Sequence, residues 1–238
     1  EWHSDSPQVR YFRPRGLEKV HKFEGRDMSA TLHDVTQVFY AAASENVLDK
    51  VKFIFPKLET VEEAQIIADL LTNLESQFGL ARGTVKVQFL VESEDCIYQL
   101  EEMIHTLRPW ATGVIFGKFD YIGSLAENHQ FDRNVLIPDP EFMDNQHEWL
   151  DRARKYIVHI AHKHGLLAIG EMTTNYPSNK KTPAESAAAI AQAIEEKRHL
   201  VELGFDGGWA GTPDTIEPLQ SVFPKPNQLG IKTNYDPA

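Results

Sequence analysis

The stretch TVKVQFLVES, residues 84–93, decides the fold. Its side chains alternate between two faces: Val85, Val87, Phe89 and Val91 on one, Lys86, Gln88, Leu90 and Glu92 on the other. The first set is wholly apolar and suits packing against helices. The second is mixed and ends on a carboxylate, as expected of a strand that lines a barrel with a polar upper layer. The chain then turns helical: SEDCIYQLEEMIHTL offers Ser93 as the cap and Pro109 as the stop.

The same strand-then-helix unit recurs on both sides. Upstream, VRYF (9–12) leads to a helical pattern near 30–46, and VKFIF (51–55) leads to TVEEAQIIADLLTNLESQF. In that helix Thr60 and Glu63 form a capping-box signature and Gly79 supplies the end. Downstream come GVIFG (113–117) and a weaker run, NVLI (134–137), before HEWLDRARKYIVHIAHKHG. The last of these places Leu150, Ala153, Tyr156, Ile157, Ile160 and Ala161 on one face, the spacing of a core-facing helix. LLAIG (166–170) precedes a helix opened by Thr182, Pro183 and Glu185, and GFDGGWA (204–210) precedes one near 213–222. Strict alternation predicts parallel strands. Seven are recognisable; a closed (β/α)8 barrel of the TIM type has eight. The expectation is a TIM-type barrel, one recognisable strand short, as a single domain over residues 1–238.

Composition narrows the function. The 238 residues are 42% hydrophobic and 25% charged, ordinary for one globular core. No apolar run approaches the roughly 18 residues of a membrane span, and EWHSDSPQVR does not read as a signal peptide. The lone Cys96 excludes an internal disulfide and a cysteine-based zinc cluster; it reads as a buried structural thiol. A formal charge of −11 argues against broad nucleic-acid or membrane-surface binding. It leaves room for a small polyanion where positive charge is local, as in RPRGLEKVHK (13–22).

In a parallel α/β barrel, chemistry sits at the C-terminal ends of the strands. The residues there are Arg13 and Arg15, Lys57 and Glu59, Glu92, Lys118 and Asp120, Glu171 and Asp206. Glu92 and Asp120 end neighbouring strands with no His or Cys beside them. Two carboxylates alone suit a hard cation, and Mg2+ takes one or two carboxylates while keeping waters and substrate oxygens. The plain alternative is that they are helix caps or surface groups, and that Arg15 is an ordinary ion-paired arginine. Asp206 reads as a turn former, Lys180 and Lys181 as a solvated loop, and His159, His162 and His164 as an exposed helix face.

RPRGLEKVHK, FPKLET, LARGTVKVQFLVES with QLEEMIHTLR, GKFDYIGS, HKHGLLAIGEM and GFDGGWAGTP occur in this order. Together they resemble the barrel of malate synthase, within the superfamily it shares with malyl-CoA and citramalyl-CoA lyases and the citrate lyase beta-like proteins. The likeness runs over roughly residues 11 to 223. It implies a magnesium-dependent joining of acetyl-CoA and glyoxylate to give malate and CoA, as in the glyoxylate cycle. It also implies roles: Arg15 as the catalytic arginine, Glu92 and Asp120 as Mg2+ ligands, and the backbone at Gly117, Lys118, Phe119 and Asp120 as the holder of the keto-acid carboxylate. Arg13, Lys19 and Lys22 are candidates for the CoA phosphates. Departures accompany the likeness: GRWDYI reads GKFDYI here, and Thr212 stands where the family has a histidine. The family's catalytic aspartate lies in a helical domain after the barrel, and this sequence stops at Ala238. A lyase that cleaves malyl-CoA-type thioesters, and a barrel that binds a ligand or partner without turnover, remain as alternatives. The implied partners are an acyl-CoA and a small 2-keto acid, with a homo-oligomer open, in the cytoplasm or in the peroxisome or glyoxysome of a eukaryote.

Overall fold

A computed structural model describes residues 9–138, 148–231 and 235; the stretch EWHSDSPQ and the last residues of the tail lie outside them. The chain divides into two units, Glu1–Gly113 and Val114–Ala238, with the boundary inside one strand.

The first unit opens with a feature that alternation did not predict. Strands β1 (Val20–Phe23) and β2 (Arg26–Ser29) pair as an antiparallel hairpin. Glu24 and Gly25 both take positive φ (49° and 78°), which is what a two-residue turn matching the strands' twist requires. Helix α1 (Ala30–Ser44) comes next, then β3 (Lys52–Phe55), α2 (Val61–Gln77), β4 (Lys86–Val91) and α3 (Glu94–Leu107). β3 and β4 are parallel, in register from Lys52 beside Lys86 to Phe55 beside Phe89. The two faces of β4 divide as expected. Val85, Val87, Phe89 and Val91 are fully buried, and Leu90, Gln88 and Glu92 on the opposite face are nearly so. Burial on both faces is the mark of a parallel strand between covered layers.

The expected first strand, 9–12, shrinks to a single parallel bridge between Phe12 and Phe53. Phe12 donates its N–H to the Lys52 carbonyl and accepts from the Ile54 N–H, both at 2.8 Å. Two residues on, Pro14 has no N–H to give, which ends such a ladder. The Phe12 ring lies 6.4 Å from Phe53, and Phe53 stacks on Phe39 of α1 at 6.2 Å. The bridge thereby carries Arg13 to Arg15 out from the core.

α2 behaves as its sequence dictates. Thr60 and Glu63 close a reciprocal capping box. At the other end Gly79 (φ 69°) donates to the Ser76 carbonyl and Leu80 to the Glu75 carbonyl, a Schellman cap. The buried Glu75 carboxylate then organises the connection to β4 and the turn at Trp110. It accepts N–H groups from Gly83 at 2.8 Å and Val85 at 2.9 Å, and the Trp110 indole N–H at 2.9 Å. Gly83 cannot be replaced freely: its φ is 83°, and a Cβ there would stand 2.4 Å from the Pro109 carbonyl oxygen.

The next strand, β5 (Ala111–Phe116), crosses the unit boundary. The second unit continues with α4 (Lys118–Asn128), α5 (Glu148–Lys163), β6 (Leu167–Gly170), α6 (Pro183–Glu202), β7 (Gly207–Gly208) and α7 (Pro213–Gln220). β6 and β7 are parallel, with Gly170 beside Gly208. Leu200 of α6 comes so near Gly170 that a Cβ would meet its Cδ1 at 2.4 Å, so the helix needs that glycine. Two expectations are corrected here. NVLI is not a strand: Val135 and Leu136 are exposed, the latter 91%, so the run buries no face. GKFDYIGS was read only as a strand end, but Lys118 to Asn128 form a helix. On α5, Arg154 and Val158 join the buried face and Tyr156 is only half-buried. No helix among the described residues is long and apolar enough to cross a membrane.

Glu75 generates a clear expectation. Glu75→Ala leaves three buried donors without an acceptor and should cost roughly 3 kcal/mol or more. Glu75→Gln, which keeps one carbonyl acceptor, should cost less. Urea unfolding midpoints of the two variants check both the size and the order.

Candidate active site

Each candidate side chain is placed by a strand end or by the first turn of the helix after it. In the first unit, Glu92 comes directly after the last residue of β4 and is 3% exposed. Its Oε1 accepts the Lys57 N–H at 2.7 Å. Lys57, just past β3, adopts φ 54°, a left-handed conformation that a long side chain rarely takes. Strain of this kind persists where the surroundings demand it, and here it aims a backbone donor at a buried carboxylate. Glu59, two residues on, has its acid form favoured, first by burial and then by Glu63 and Asp95.

Arg15 lies beyond the Phe12 bridge, on a bent connection to the hairpin. Asp34 of α1 grips it: Arg15 Nε donates to Oδ2 at 2.9 Å, Nη2 to Oδ1 at 2.6 Å, and the Arg15 backbone N–H to Oδ2 at 3.0 Å. The Thr31 hydroxyl, one turn earlier, donates to the Arg15 carbonyl at 2.7 Å. The guanidinium holds the Asp34 carboxyl well below the usual carboxylate range, with Asp34's partial burial working against it. Arg15 is thus ion-paired and still 44% exposed at its side chain.

Cys96 sits in the first turn of α3, where a helix N-terminus would favour a thiolate. Burial outweighs that effect and pushes the thiol's pKa up, with Glu92 and Glu59 adding to it. The buried structural thiol expected from sequence is what the structure contains.

In the second unit Gly117 caps α4, and the first helical bond runs from the Tyr121 N–H to the Gly117 carbonyl at 3.0 Å. The N–H groups of Lys118, Phe119 and Asp120 therefore point out of the N-terminal end of the helix. A helix N-terminus of this kind suits an anion such as a carboxylate. The Asp120 side chain is in that same exposed first turn, and the Phe119 ring is 46% exposed. Lys118 is buried; burial draws its pKa down, with Glu171 opposing.

Behind Lys118 lies a polar cluster that sequence reasoning missed. Arg154 of α5, fully buried, donates to Asp151 Oδ1 at 2.7 Å and to Glu171 Oε1 just past β6. His199 of α6 meets Asp151 at 2.9 Å. Lys197 of α6, 1% exposed, donates to the Glu171 carbonyl, and its pKa falls to about 8, chiefly through burial. The available signal was position: Arg154 is four residues after Leu150 on the apolar face of its helix. His162 also departs from expectation. It is buried against Asp206 at 2.9 Å, and Asp206 further accepts the Ala168 and Gln228 N–H groups. Asp206 is a clamp between segments, which extends its expected turn role.

The donors at Glu92 and Asp120 are all oxygen, which fits Mg2+ in kind. Among the described residues no group of three or more His, Cys, Asp or Glu side chains gathers as a metal site. Arg13 and Lys22 are exposed, and Lys19 lies 3.6 Å from Glu18 at the surface.

Comparison with known proteins adds independent information. Residues 10–236 match the family described as malate synthase, TIM barrel domain. The glyoxysomal malate synthase of Candida tropicalis is 28% identical over 92% of this chain and 41% of its own length. The malate synthase of Oryza sativa subsp. japonica is 29% identical, over 94% of this chain and 42% of its own length. A bifunctional glyoxylate cycle protein of Caenorhabditis elegans reaches 32% identity over 74% of this chain. The chain thus spans about two fifths of the malate synthases it matches. RipC from Yersinia pestis shares the fold, with a TM-score of 0.59 over 92% of this chain and 78% of its own at 17% identity.

The buried Lys197 makes stability depend on pH. Its folded pKa, about 8, lies below the ordinary 10.5. Between these values the unfolded chain binds the extra proton, so stability rises with pH through this window. Relative to a Lys197→Met variant, the protein should gain about 3 kcal/mol between pH 8 and 10.5. Chemical denaturation of both proteins across that range reads the difference and cancels other titrating groups.

Proposed function

The chain belongs to the malate synthase TIM-barrel family, and from that premise we propose that it is the barrel of an enzyme joining acetyl-CoA and glyoxylate. The proposed reaction consumes one water and yields malate and CoA. A methyl proton of the thioester is removed, the methyl carbon bonds to the glyoxylate carbonyl carbon, and hydrolysis of the thioester releases CoA. The observation that carries this reading is the placement of Glu92 directly after β4, and of Lys118 at the start of α4 one residue beyond β5, within a family match running from residue 10 to 236.

Glu92 and Asp120 would hold Mg2+, which supplies Lewis-acid polarisation of a keto-acid carbonyl. The N-terminus of α4 binds the glyoxylate carboxylate through the N–H groups of Lys118, Phe119 and Asp120, aided by the glycine at 117. Arg15 meets the oxygen charge that develops as the thioester loses its proton. A thioester methyl is a poor acid, so a cation already aimed at that oxygen lowers the barrier without reorganising during the step. The exposed Arg13, Lys19 and Lys22 provide positive charge for the CoA phosphates. Since several of the malate synthases that this chain matches are named glyoxysomal, a glyoxysomal setting is part of the proposal for a eukaryotic source.

The test uses the full-length protein with acetyl-CoA and glyoxylate, a free-thiol assay and chromatography of the acyl-CoA products. Release of free CoA that stops on adding a chelator and returns with Mg2+ is the expected result. Accumulated malyl-CoA without free thiol would assign the protein to the lyases, and no turnover would leave a binding barrel. Arg15→Lys, which loses the guanidinium fork, should lower kcat by about 100-fold. Asp120→Asn should abolish the response to Mg2+; an unchanged metal response removes Asp120 from the site.

A further inference from the structure

We propose that Asp34 is the residue that positions Arg15, fixing which edge of its guanidinium faces the substrate. The inference rests on Arg15 acting at the reacting oxygen, as in the function proposed above.

The geometry separates this from an ordinary surface ion pair. Such a pair holds two flexible side chains at one contact and contributes little. Here one carboxylate takes three hydrogen bonds from a single residue, two of them from the Nε and Nη2 edge and one from its backbone N–H. Thr31, 1% exposed and three residues before Asp34 on the same helix, fixes the Arg15 carbonyl. One turn of α1 therefore sets both the backbone and the guanidinium plane of Arg15. With the Nε edge committed to Asp34, the two Nη1 N–H groups and the second Nη2 N–H form the edge left for an anion. Because the side chain is 44% exposed, that edge is open to a ligand. His33 Nδ1 lies 3.2 Å from Asp34 Oδ1, and the His21 ring of β1 packs 3.9 Å from the His33 ring. The hairpin thus packs against the histidine that contacts the Asp34 carboxylate.

The experiment compares D34N, D34E, R15A and the D34N/R15A double variant in the full-length protein. Loss of orientation should lower kcat by about 10- to 100-fold in D34N, with the KM for acetyl-CoA little changed. D34E should recover part of the loss. The double variant should be no slower than R15A, because a positioning residue acts only through its partner. Full kcat in D34N, or a loss that multiplies onto that of R15A, overturns the proposal. Nitrogen-15 NMR of the Arg15 Nε–H provides a readout that needs no turnover. The resonance should be protected from exchange in the wild type and lose that protection in D34N; unchanged protection overturns the pairing. A wild-type protein inert towards acetyl-CoA and glyoxylate overturns the functional reading instead, and the NMR comparison then decides the pairing alone.

Discussion

A strand buried on both faces has no place for an unpaired charge along its length. β4 obeys this constraint: from Val87 to Val91 every side chain is buried, and the first carboxylate appears only at Glu92. The rest of the candidate site depends on it. Charged residues collect where strands give way to helices, because only there do backbone N–H groups remain to receive them. Glu92 takes the Lys57 N–H, and the start of α4 offers its own first-turn donors. The carboxylate at the end of β4 is therefore a consequence of how completely the strand itself is covered.

Two buried carboxylates in the first unit show how environment separates roles. Glu75 accepts three N–H groups from Gly83, Val85 and Trp110, so its charge is matched by donors that are themselves core structure. Glu92 shares its surroundings with Glu59 and Cys96, whose acid forms are both favoured there. Raised pKa values in a group of neighbours signal a locally negative, poorly solvated region. A region of that kind favours a cation, which is the physical content of the proposal that Glu92 holds Mg2+, whereas Glu75 serves folding.

Local patterns were legible in the sequence wherever a single segment carried the whole signal. The Thr60–Glu63 and Thr182–Glu185 boxes and the Gly79 stop depend on neighbours within a few residues, and all three form as read. Alternation located β3 to β7, but NVLI misled because an apolar run does not say whether a partner covers it. The hairpin was hidden because Val20 to Ser29 is charged and mostly exposed, leaving no periodicity to read. α4 was hidden because its Gly117 cap has no side chain to announce a helix start. Strand-end position supplied Arg15, Glu92 and Asp120 as candidates, and the resemblance supplied the roles expected of them. Neither supplied Asp34, Arg154 or Lys197, whose importance arises from contacts 17 to 26 residues away in sequence, as between Arg154 or Lys197 and Glu171, or 19 residues away for Asp34 and Arg15.

The positive charge of this acidic chain occurs in two physical states, and the difference constrains what each can do. Around residues 13 to 22 the cations are exposed, so their fields are screened within about 10 Å at ordinary salt. They can attract a polyanion and contact its phosphates, but only a cation locked in orientation can stabilise a charge as it forms. Arg15 is held by the Asp34 carboxylate through three hydrogen bonds, two of them from its guanidinium. In the second unit the buried Arg154 is paired with the Asp151 and Glu171 carboxylates, and the buried Lys197 donates to the Glu171 backbone carbonyl, so both hold α5 and α6 to the end of β6. Breaking one member of such a buried network leaves its partner uncompensated, which is far costlier than losing a surface pair. Architecture thus rests on the buried cations, the chemistry proposed here is assigned to the half-exposed Arg15, and the net charge of −11 conceals both.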